Sequence, residues 1–448
     1  MALPRRTGRP PAEDPLTSTL WRNWADTHRM TPARVVTPNS TAEVAAAVRA
    51  AAETGSRARM AGSGHSFTDI AATDGTLLLP TALASVREVD LAGRSATVEA
   101  GMRLCDVNDA LAAHGAALTN MGDIAVQTMA GATQTGTHGT GRASAGLAAQ
   151  VRRLELVLAD GSVRTCSAEE DPDLFHAARA GLGAFGVVTA LTMAVEPAFL
   201  LHAREAPMRL GEVLDRLEEL RTGNEHFEFF WFPHTELTLT KRNNRVPGPA
   251  RPLSRFRAWL DDEFLSNSVF EVVNRAARRL PRLVPAINQV SARALTAREY
   301  VDASYRVFAS PRRVRFVEME YAIPVEHLTD VLHEMRAVFA SGRHRVSFPV
   351  EVRFAPADDV WLSPAYGRES AYVAVHVYQG CPHEAYFADL EAIFTAVSGR
   401  PHWGKMHTRD LAYLETVHPR LHDALEVRER VDPQRRFANA YLDRVLGR

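Results

Sequence analysis

The sequence predicts an α+β fold, a mixed first part of short strands and helices followed by an antiparallel sheet covered by helices. Up to Glu196-Pro197, short apolar strand candidates bounded by turn residues alternate with amphipathic, alanine-rich stretches. Beyond that dipeptide the composition shifts to aromatic and β-branched runs, beginning with Phe227-Glu228-Phe229-Phe230-Trp231-Phe232. The 448 residues exceed the size at which one hydrophobic core stops growing, so two domains are expected, with their boundary at Glu196-Pro197.

Residues 35–55 read as a strand, a turn at Pro38 and a helix over 41–54 that Ser40 or Thr41 caps. A glycine-spaced loop follows, then short strands at 77–79, 85–90 and 96–100, and a helix over 103–114 closed by Gly115. A polar loop spans 131–141, and strands at 153–158 and 162–167 meet across an Asp160-Gly161 hairpin. A helix at 173–180 and a strand at 186–195 complete the first part. After the aromatic run comes a basic, irregular and helical region to about residue 300, then strands at 314–321, 347–354 and 372–378.

Lys and Arg total 52 and Asp and Glu 53, a net charge of -1, so the whole chain carries no bulk electrostatic signature of nucleic-acid or membrane-surface binding. No run of about 18 apolar residues offers a membrane span. Cys105, Cys166 and Cys381 are too scattered for a disulfide framework or a zinc site, which fits a reducing compartment. Residues 1–30 contain Arg5-Arg6 but no apolar h-region, so they read as a solvated tail, and the cytoplasm is the expected location.

The most specific motif is Gly62-Ser63-Gly64-His65-Ser66. Its glycines permit backbone angles at which successive amides converge on an anion, and Ser63 and Ser66 add hydroxyl donors, a nest suited to a pyrophosphate. His65 is then either a nucleophile that tethers a ligand or a turn residue satisfied by a local hydrogen bond. Asn120-Met121-Gly122-Asp123 and the 131–141 stretch form a second donor-rich cradle, nearly free of charge and fitted to a neutral ring system and a diphosphate; the alternative is a surface Ω-loop. Gly181-Leu182-Gly183-Ala184-Phe185-Gly186 matches G-x-G-x-x-G, yet a helix precedes it and a strand follows, the reverse of a nicotinamide-dinucleotide fingerprint.

In Phe348-Pro349-Val350-Glu351-Val352-Arg353-Phe354 the strand period puts Glu351 and Arg353 on one face; in Tyr372-Val373-Ala374-Val375-His376-Val377-Tyr378 it puts His376 and Tyr378 together. If the two strands are neighbours, these four line one polar pocket; otherwise each is an ordinary polar residue on a solvated sheet face. Lys405 is by type a surface lysine, but Trp403 and Gly404 beside it favour packing against a flat partner.

Taken in order, Gly-Ser-Gly-His65-Ser, Thr-Gly-Thr-His138-Gly-Thr-Gly, Glu351-Val352-Arg353 and His402-Trp403-Gly404-Lys405 resemble the vanillyl-alcohol-oxidase-type flavoproteins, in particular the sugar-1,4-lactone oxidases and dehydrogenases. The resemblance implies a two-subdomain FAD-binding domain over 31–196 after a tail at 1–30, a substrate-binding cap over 197–410, and a segment at 411–448 that returns to the FAD domain. It implies FAD, with its diphosphate on Gly62, Ser63, Gly64 and Ser66 and a covalent bond from His65. Gly122, Asp123, Thr128, Gly131, Thr135, Gly136, His138, Gly139, Val187, His402 and Lys405 match its further flavin contacts. Asp123, Glu351, Arg353, Tyr378 and Lys405 would meet substrate.

The implied reaction is oxidation of an aldono-1,4-lactone at a secondary carbinol, with hydride passing to flavin N5 and Glu351, Arg353, Lys405 and His376 as the catalytic set. Glu351 or His376 would accept the hydroxyl proton. Electrons would then pass to dioxygen, for which the small Gly122 leaves room, or to a cytochrome or quinone. No metal is implied. The neighbouring alditol oxidases, acting on xylitol or sorbitol, are the alternative, though Tyr378 departs from their pattern. A silent flavin scaffold would lack Glu351, Arg353 or Lys405, and a nicotinamide-using reductase would be bleached by NADPH.

Overall fold

The computed structural model describes residues 16–17 and 20–448. Arg5-Arg6 lie outside the described residues; the described end of the expected tail is not solvated, since Leu20–Arg22 pairs with Arg29–Met30 and Trp21, Asn23 and Ala25 are buried. Strands β1 (Arg34–Val36), β2 (Ala58–Met60) and β3 (Thr76–Leu78) form a small parallel sheet in the order β1–β3–β2, with helix α1 (Thr41–Glu53) between the first two in sequence. The Ser40 hydroxyl caps α1 by accepting the Glu43 amide at 3.3 Å. Val44, Ala45, Ala47 and Val48 of α1 pack into one cluster with Leu78, Val157, Val187 and Phe437.

Beside it β4 (Val86–Asp90), β5 (Ser95–Glu99), β6 (Val151–Val157), β7 (Val163–Ser167) and β8 (Val187–Ala194) build an antiparallel sheet, ordered β7–β6–β8–β5–β4. Helices α2 (Leu104–Ala113), α3 (Met129–Gln134) and α4 (Pro172–Ala178) connect its strands. The Asp160-Gly161 hairpin forms as expected, with the Asp160 carboxylate accepting the Ser162 amide at 2.8 Å. The 131–141 stretch is not all loop: its start lies within α3, because the Thr128 hydroxyl caps Gly131 at 3.2 Å and Met129, Ala130 and Ala132 are buried. Between α4 and β8, the glycine turn runs from helix to strand, as its context requires.

The rest of the chain is dominated by one eight-stranded antiparallel sheet. Its strands are β9 (Leu200–Arg209), β10 (His226–Trp231), β11 (Leu237–Arg245), β12 (Arg298–Ala303), β13 (Phe316–Pro324), β14 (Val350–Ala355), β15 (Ser370–Tyr378) and β16 (Arg400–Pro401). Their order is β12–β9–β11–β10–β14–β15–β13–β16. One face, carrying Phe227, Phe229, Met319, Tyr321, Val352 and Val375, packs against helices α5 (Leu328–Ala340) and α6 (Glu384–Ala396). The sequence reading missed β9, β11 and β12, whose alternation is masked by Glu205, Lys241, Arg242 and Arg298.

The C-terminal helices α7 (Leu411–Val417), α8 (Leu421–Val431) and α9 (Ala440–Leu446) share a core with β5, β6 and β8 through Leu414, Val427, Tyr441 and Leu442. Asn439 stitches this segment to the first glycine loop, its side-chain amide donating to the carbonyls of Asp69, Ile70 and Ala72, each at 3.0 Å. Asn439→Ala is expected to cost about 1–3 kcal/mol, read as a lower denaturant midpoint, because it strips buried carbonyls of their donor. Among the described residues no helix is long and apolar enough to cross a membrane.

Candidate active site

Two structures meet here, a cleft in the first part of the chain and the polar face of the eight-stranded sheet. Gly62, Ser63, Gly64, His65, Ser66, Thr128, Gly131, Thr135 and Val187 all line the cleft. The space inside it that is open to water-sized groups is about 100 Å³. The loop and α3 touch so closely that a Cβ on Gly62 would lie 2.1 Å from the Thr128 hydroxyl.

Arg59, which sequence reasoning passed over, locks the walls. Its buried guanidinium donates to the carbonyls of Ile70 (2.5 Å), Leu182 (2.8 Å), Gly183 (2.9 Å) and Phe437 (2.9 Å), joining the loop, the glycine turn and the C-terminal segment. Four buried polar atoms of cleft-lining residues, Trp21 Nε1, Arg59 Nε, Thr68 Oγ1 and Gln127 Oε1, have no partner among the described residues. A ligand with both donors and acceptors would satisfy them.

His65 stands in the cleft wall with its ring stacked on Trp24, centroids 5.3 Å apart. Burial, with the charges of Lys405 and Arg315, pushes its pKa down to about 4, so at neutral pH the imidazole is uncharged and keeps a lone pair. The Gly404 loop closes over this region: the Phe67 amide donates to the Gly404 carbonyl at 2.8 Å, and Lys405 Nζ lies 5.1 Å from the centre of the Phe67 ring.

Strands β14 and β15 are direct neighbours, with Arg353 opposite Tyr372 and Glu351 opposite Ala374. Glu351, Arg353 and His376 therefore share one sheet face, as the strand period implied. Tyr378 lies farther along it, and its hydroxyl donates to Glu271 at 2.6 Å instead of joining Arg353. Arg353 is buried among three carboxylates: Glu351 at 2.6 Å, Glu228 at 2.8 Å and Asp123 at 3.4 Å. Asp123 is also held by Arg312 at 2.9 Å, and Glu228 by Lys241 at 3.4 Å.

The carboxylates differ in their electrostatics. Burial would raise Asp123, but Arg353 and Arg312 overcome it and hold Asp123 well below the usual range. Glu351 goes the other way: burial outweighs the attraction of Arg353, Asp123 and Glu228 add repulsion, and its pKa is pushed up to about 7. Although Arg353 is close to Glu351 Oε1, no N–H is aligned on that oxygen, which is left without a hydrogen-bond donor.

A second group centres on β13. Glu318 is bonded to Lys405 Nζ and lies 3.5 Å from His376 Nε2, while His376 Nδ1 donates to the Pro349 carbonyl at 3.2 Å. Burial would raise the Glu318 pKa, but Lys405 and His376 hold it below the usual range. Glu320 pairs with His138 at 3.2 Å, and His138 stacks on Tyr372 at 3.6 Å. His402 is placed beside them, its pKa pushed down to about 4 by burial. Gly139 and Gly136 are backbone neighbours of this group; a Cβ on Gly139 would meet the Met121 carbonyl at 2.3 Å. Gly122 abuts it as well, where a Cβ would lie 3.0 Å from the His138 carbonyl.

Sequence reasoning missed Glu228, Lys241, Arg312, Glu318 and Glu320. The signal for three of them was a carboxylate set every second position inside apolar runs, Phe227-Glu228-Phe229 and Val317-Glu318-Met319-Glu320-Tyr321.

Comparison with known proteins places the same regions in context. The family described as D-arabinono-1,4-lactone oxidase matches residues 191–445, and an FAD binding domain matches residues 32–167. The chain is 40% identical to the L-gulono-1,4-lactone dehydrogenase of Mycobacterium tuberculosis over 96% of this chain and 100% of that one. It is 34% identical to the L-gulonolactone oxidase of Mus musculus, over 95% and 98% of the two chains. In fold it is similar to a cholesterol oxidase from B. sterolicum, with a TM-score of 0.82 at 17% identity and full coverage of both chains.

Proposed function

The chain belongs to the D-arabinono-1,4-lactone oxidase family of FAD-dependent oxidoreductases, and from that premise we propose that it oxidises an aldono-1,4-lactone at the carbinol beside the lactone carbonyl. The observation that carries this reading is the Glu351–Arg353 pair: a buried, permanently charged fork beside a carboxyl group that titrates near neutrality and has an oxygen free of donors. The fork orients substrate oxygens, and Glu351 accepts the hydroxyl proton at its carboxylate. Asp123 and Glu228 neutralise Arg353 and restrain its guanidinium.

FAD supplies, when bound, the acceptor of the hydride. The cleft fits it: the loop over 62–66 offers amides and the Ser66 hydroxyl for a diphosphate, while the Ser63 hydroxyl is spent on the Val126 carbonyl at 2.6 Å; α3 opens beside the loop, and the unpartnered Trp21, Thr68 and Gln127 atoms would meet polar groups of the ligand. Lys405, held cationic by Glu318, supplies positive charge where a reduced ring gains negative charge. His65 tethers the cofactor covalently, a role supported by its neutral imidazole and its place in the cleft wall. The FAD-binding part would span 31–196, the substrate-binding part 197–410, and the segment 411–448 would close the first. Dioxygen, a cytochrome or a quinone would take the electrons onward.

Anaerobic mixing of the yellow protein with a panel of aldonolactones should bleach the flavin band, and xylitol or sorbitol should bleach it far more slowly. A panel of lactones that leaves the band intact would sink the reading. Acid precipitation tests the tether separately: the colour is expected in the pellet for the unaltered protein and in the supernatant for His65→Ala. Gly62→Ala is expected to lower flavin content at least severalfold, because the added Cβ would displace Thr128 and with it the start of α3; the ratio of flavin to protein absorbance reads this directly.

A further inference from the structure

Twelve large hydrophobic side chains are exposed among the described residues, and eight of them fall between residues 256 and 290. They belong to one helical rod, helical from Arg255 through a π-helical stretch at Trp259–Val269 to Arg279, and to the turn and helix that follow. Phe256, Trp259 and Phe264 form a ladder of rings on its surface, with centroids 6.1 and 5.6 Å apart.

The charge on this rod is one-sided. Asp261, Asp262, Glu263 and Glu271 are all engaged, by Arg257, Arg298, Arg313 and Arg275 respectively. Arg255, Arg278, Arg279 and Arg282 have no carboxylate partner among the described residues. Arg275, Arg278, Arg279, Arg313 and Arg315 line a single cleft beside the rod, and Glu271 is its one carboxylate. The chain's net charge of -1 conceals this concentration, since the compensating acids lie elsewhere.

We propose that this face docks on a bilayer containing anionic phospholipids, with Trp259, Phe264 and their apolar neighbours entering the headgroup boundary and the arginine cleft receiving lipid phosphates. Tryptophan suits that boundary, with an apolar body and one polar edge, and arginines lay their stems along apolar surface while their heads bind phosphate. The attachment is peripheral. A second copy of the chain is disfavoured as the occupant, because a two-fold contact would set the same unpaired arginines face to face.

The test is co-sedimentation of the flavin-loaded, full-length protein with vesicles of phosphatidylcholine alone or mixed with phosphatidylglycerol. Binding is expected only to the mixed vesicles and is expected to weaken as salt shortens the screening length. The double variant R278E/R279E should lose at least about tenfold in partition, since each arginine near such a surface contributes on the order of a factor of five. W259S/F264S should also lose binding. Both variants lie outside the substrate and cofactor site and should keep flavin content and turnover of soluble substrate, which shows that they fold.

Equal binding to both vesicle types, or none, overturns the proposal. So does light scattering that shows a dimer broken by W259S/F264S, which identifies a second copy as the occupant. Tripolyphosphate bound by the cleft, without vesicle binding, would identify a soluble polyanion site instead.

Discussion

Arg353→Met is expected to lower kcat/KM by about a thousandfold or more and to reduce the melting temperature measurably. The two effects share one cause. Arg353 is the cation common to the buried Glu351 and Glu228 and the partly buried Asp123, and removing one partner of such a cluster costs about 3–5 kcal/mol because charge is left buried and unpaired. Methionine preserves most of the stem's packing, so the loss reports charge and directed donors rather than volume.

The carboxylates would not suffer equally. Asp123 retains Arg312 and Glu228 retains Lys241, whereas Glu351 has Arg353 as its one ion-pair partner among the described residues. The pKa of Glu351 should therefore rise further in the variant, and part of the lost activity should return as pH is raised. Arg353→Lys, which keeps the charge but not the fork, is expected to retain stability better than activity. A kcat/KM within threefold of the unaltered protein for Arg353→Met would remove Arg353 from the site.

How far the site was legible in the sequence depended on what each residue's signal required. The loop at 62–66 drew attention because its spacing is local: two glycines, two hydroxyls and a histidine within five positions read as an anion nest or as a tight turn, and the fold puts all five in the cleft wall. The Glu351 and Arg353 face was readable from period two alone, and needed only the neighbouring position of β14 and β15 to become one polar cluster with His376. Tyr378 followed the same period yet lies too far along its strand, since alternation fixes the face but not the distance along it.

Glu318 and Glu320 were hidden for another reason. Within a strand otherwise buried along most of its length, carboxylates look like sequence noise until the partners that neutralise them, Lys405 and His138, arrive from distant parts of the chain. The strands β9, β11 and β12 were lost through the same effect at larger scale. Charged residues such as Glu205, Lys241 and Arg298 face one another across adjacent strands, and cross-strand ion pairing cannot be read from one strand's composition.

Glu351→Gln is expected to abolish the rise of kcat/KM with pH and to lower its plateau by about 10²–10⁴-fold, the usual scale for losing a general base. In the unaltered protein the rise should be centred near pH 7, because Glu351 is held there by burial against the opposing pull of Arg353. The direction follows from the role: below the inflection the carboxyl is protonated and cannot accept a proton, so activity belongs to the alkaline side.

A stability measurement checks the same pKa independently of turnover. With its folded pKa above the ordinary value near 4.5, Glu351 binds more proton in the native than in the unfolded state between about pH 4.5 and 7. Its contribution therefore falls as pH rises through that window, by at most about 1.4 kcal/mol per unit, and Glu351→Gln should flatten that slope. His376 is the competing base, on the same face as Glu351, with Nδ1 on the Pro349 carbonyl and Nε2 3.5 Å from the Glu318 carboxylate. If Glu351→Gln keeps the alkaline rise and changes KM alone, while His376→Asn loses the rise, proton acceptance belongs to His376 and Glu351 only orients the substrate.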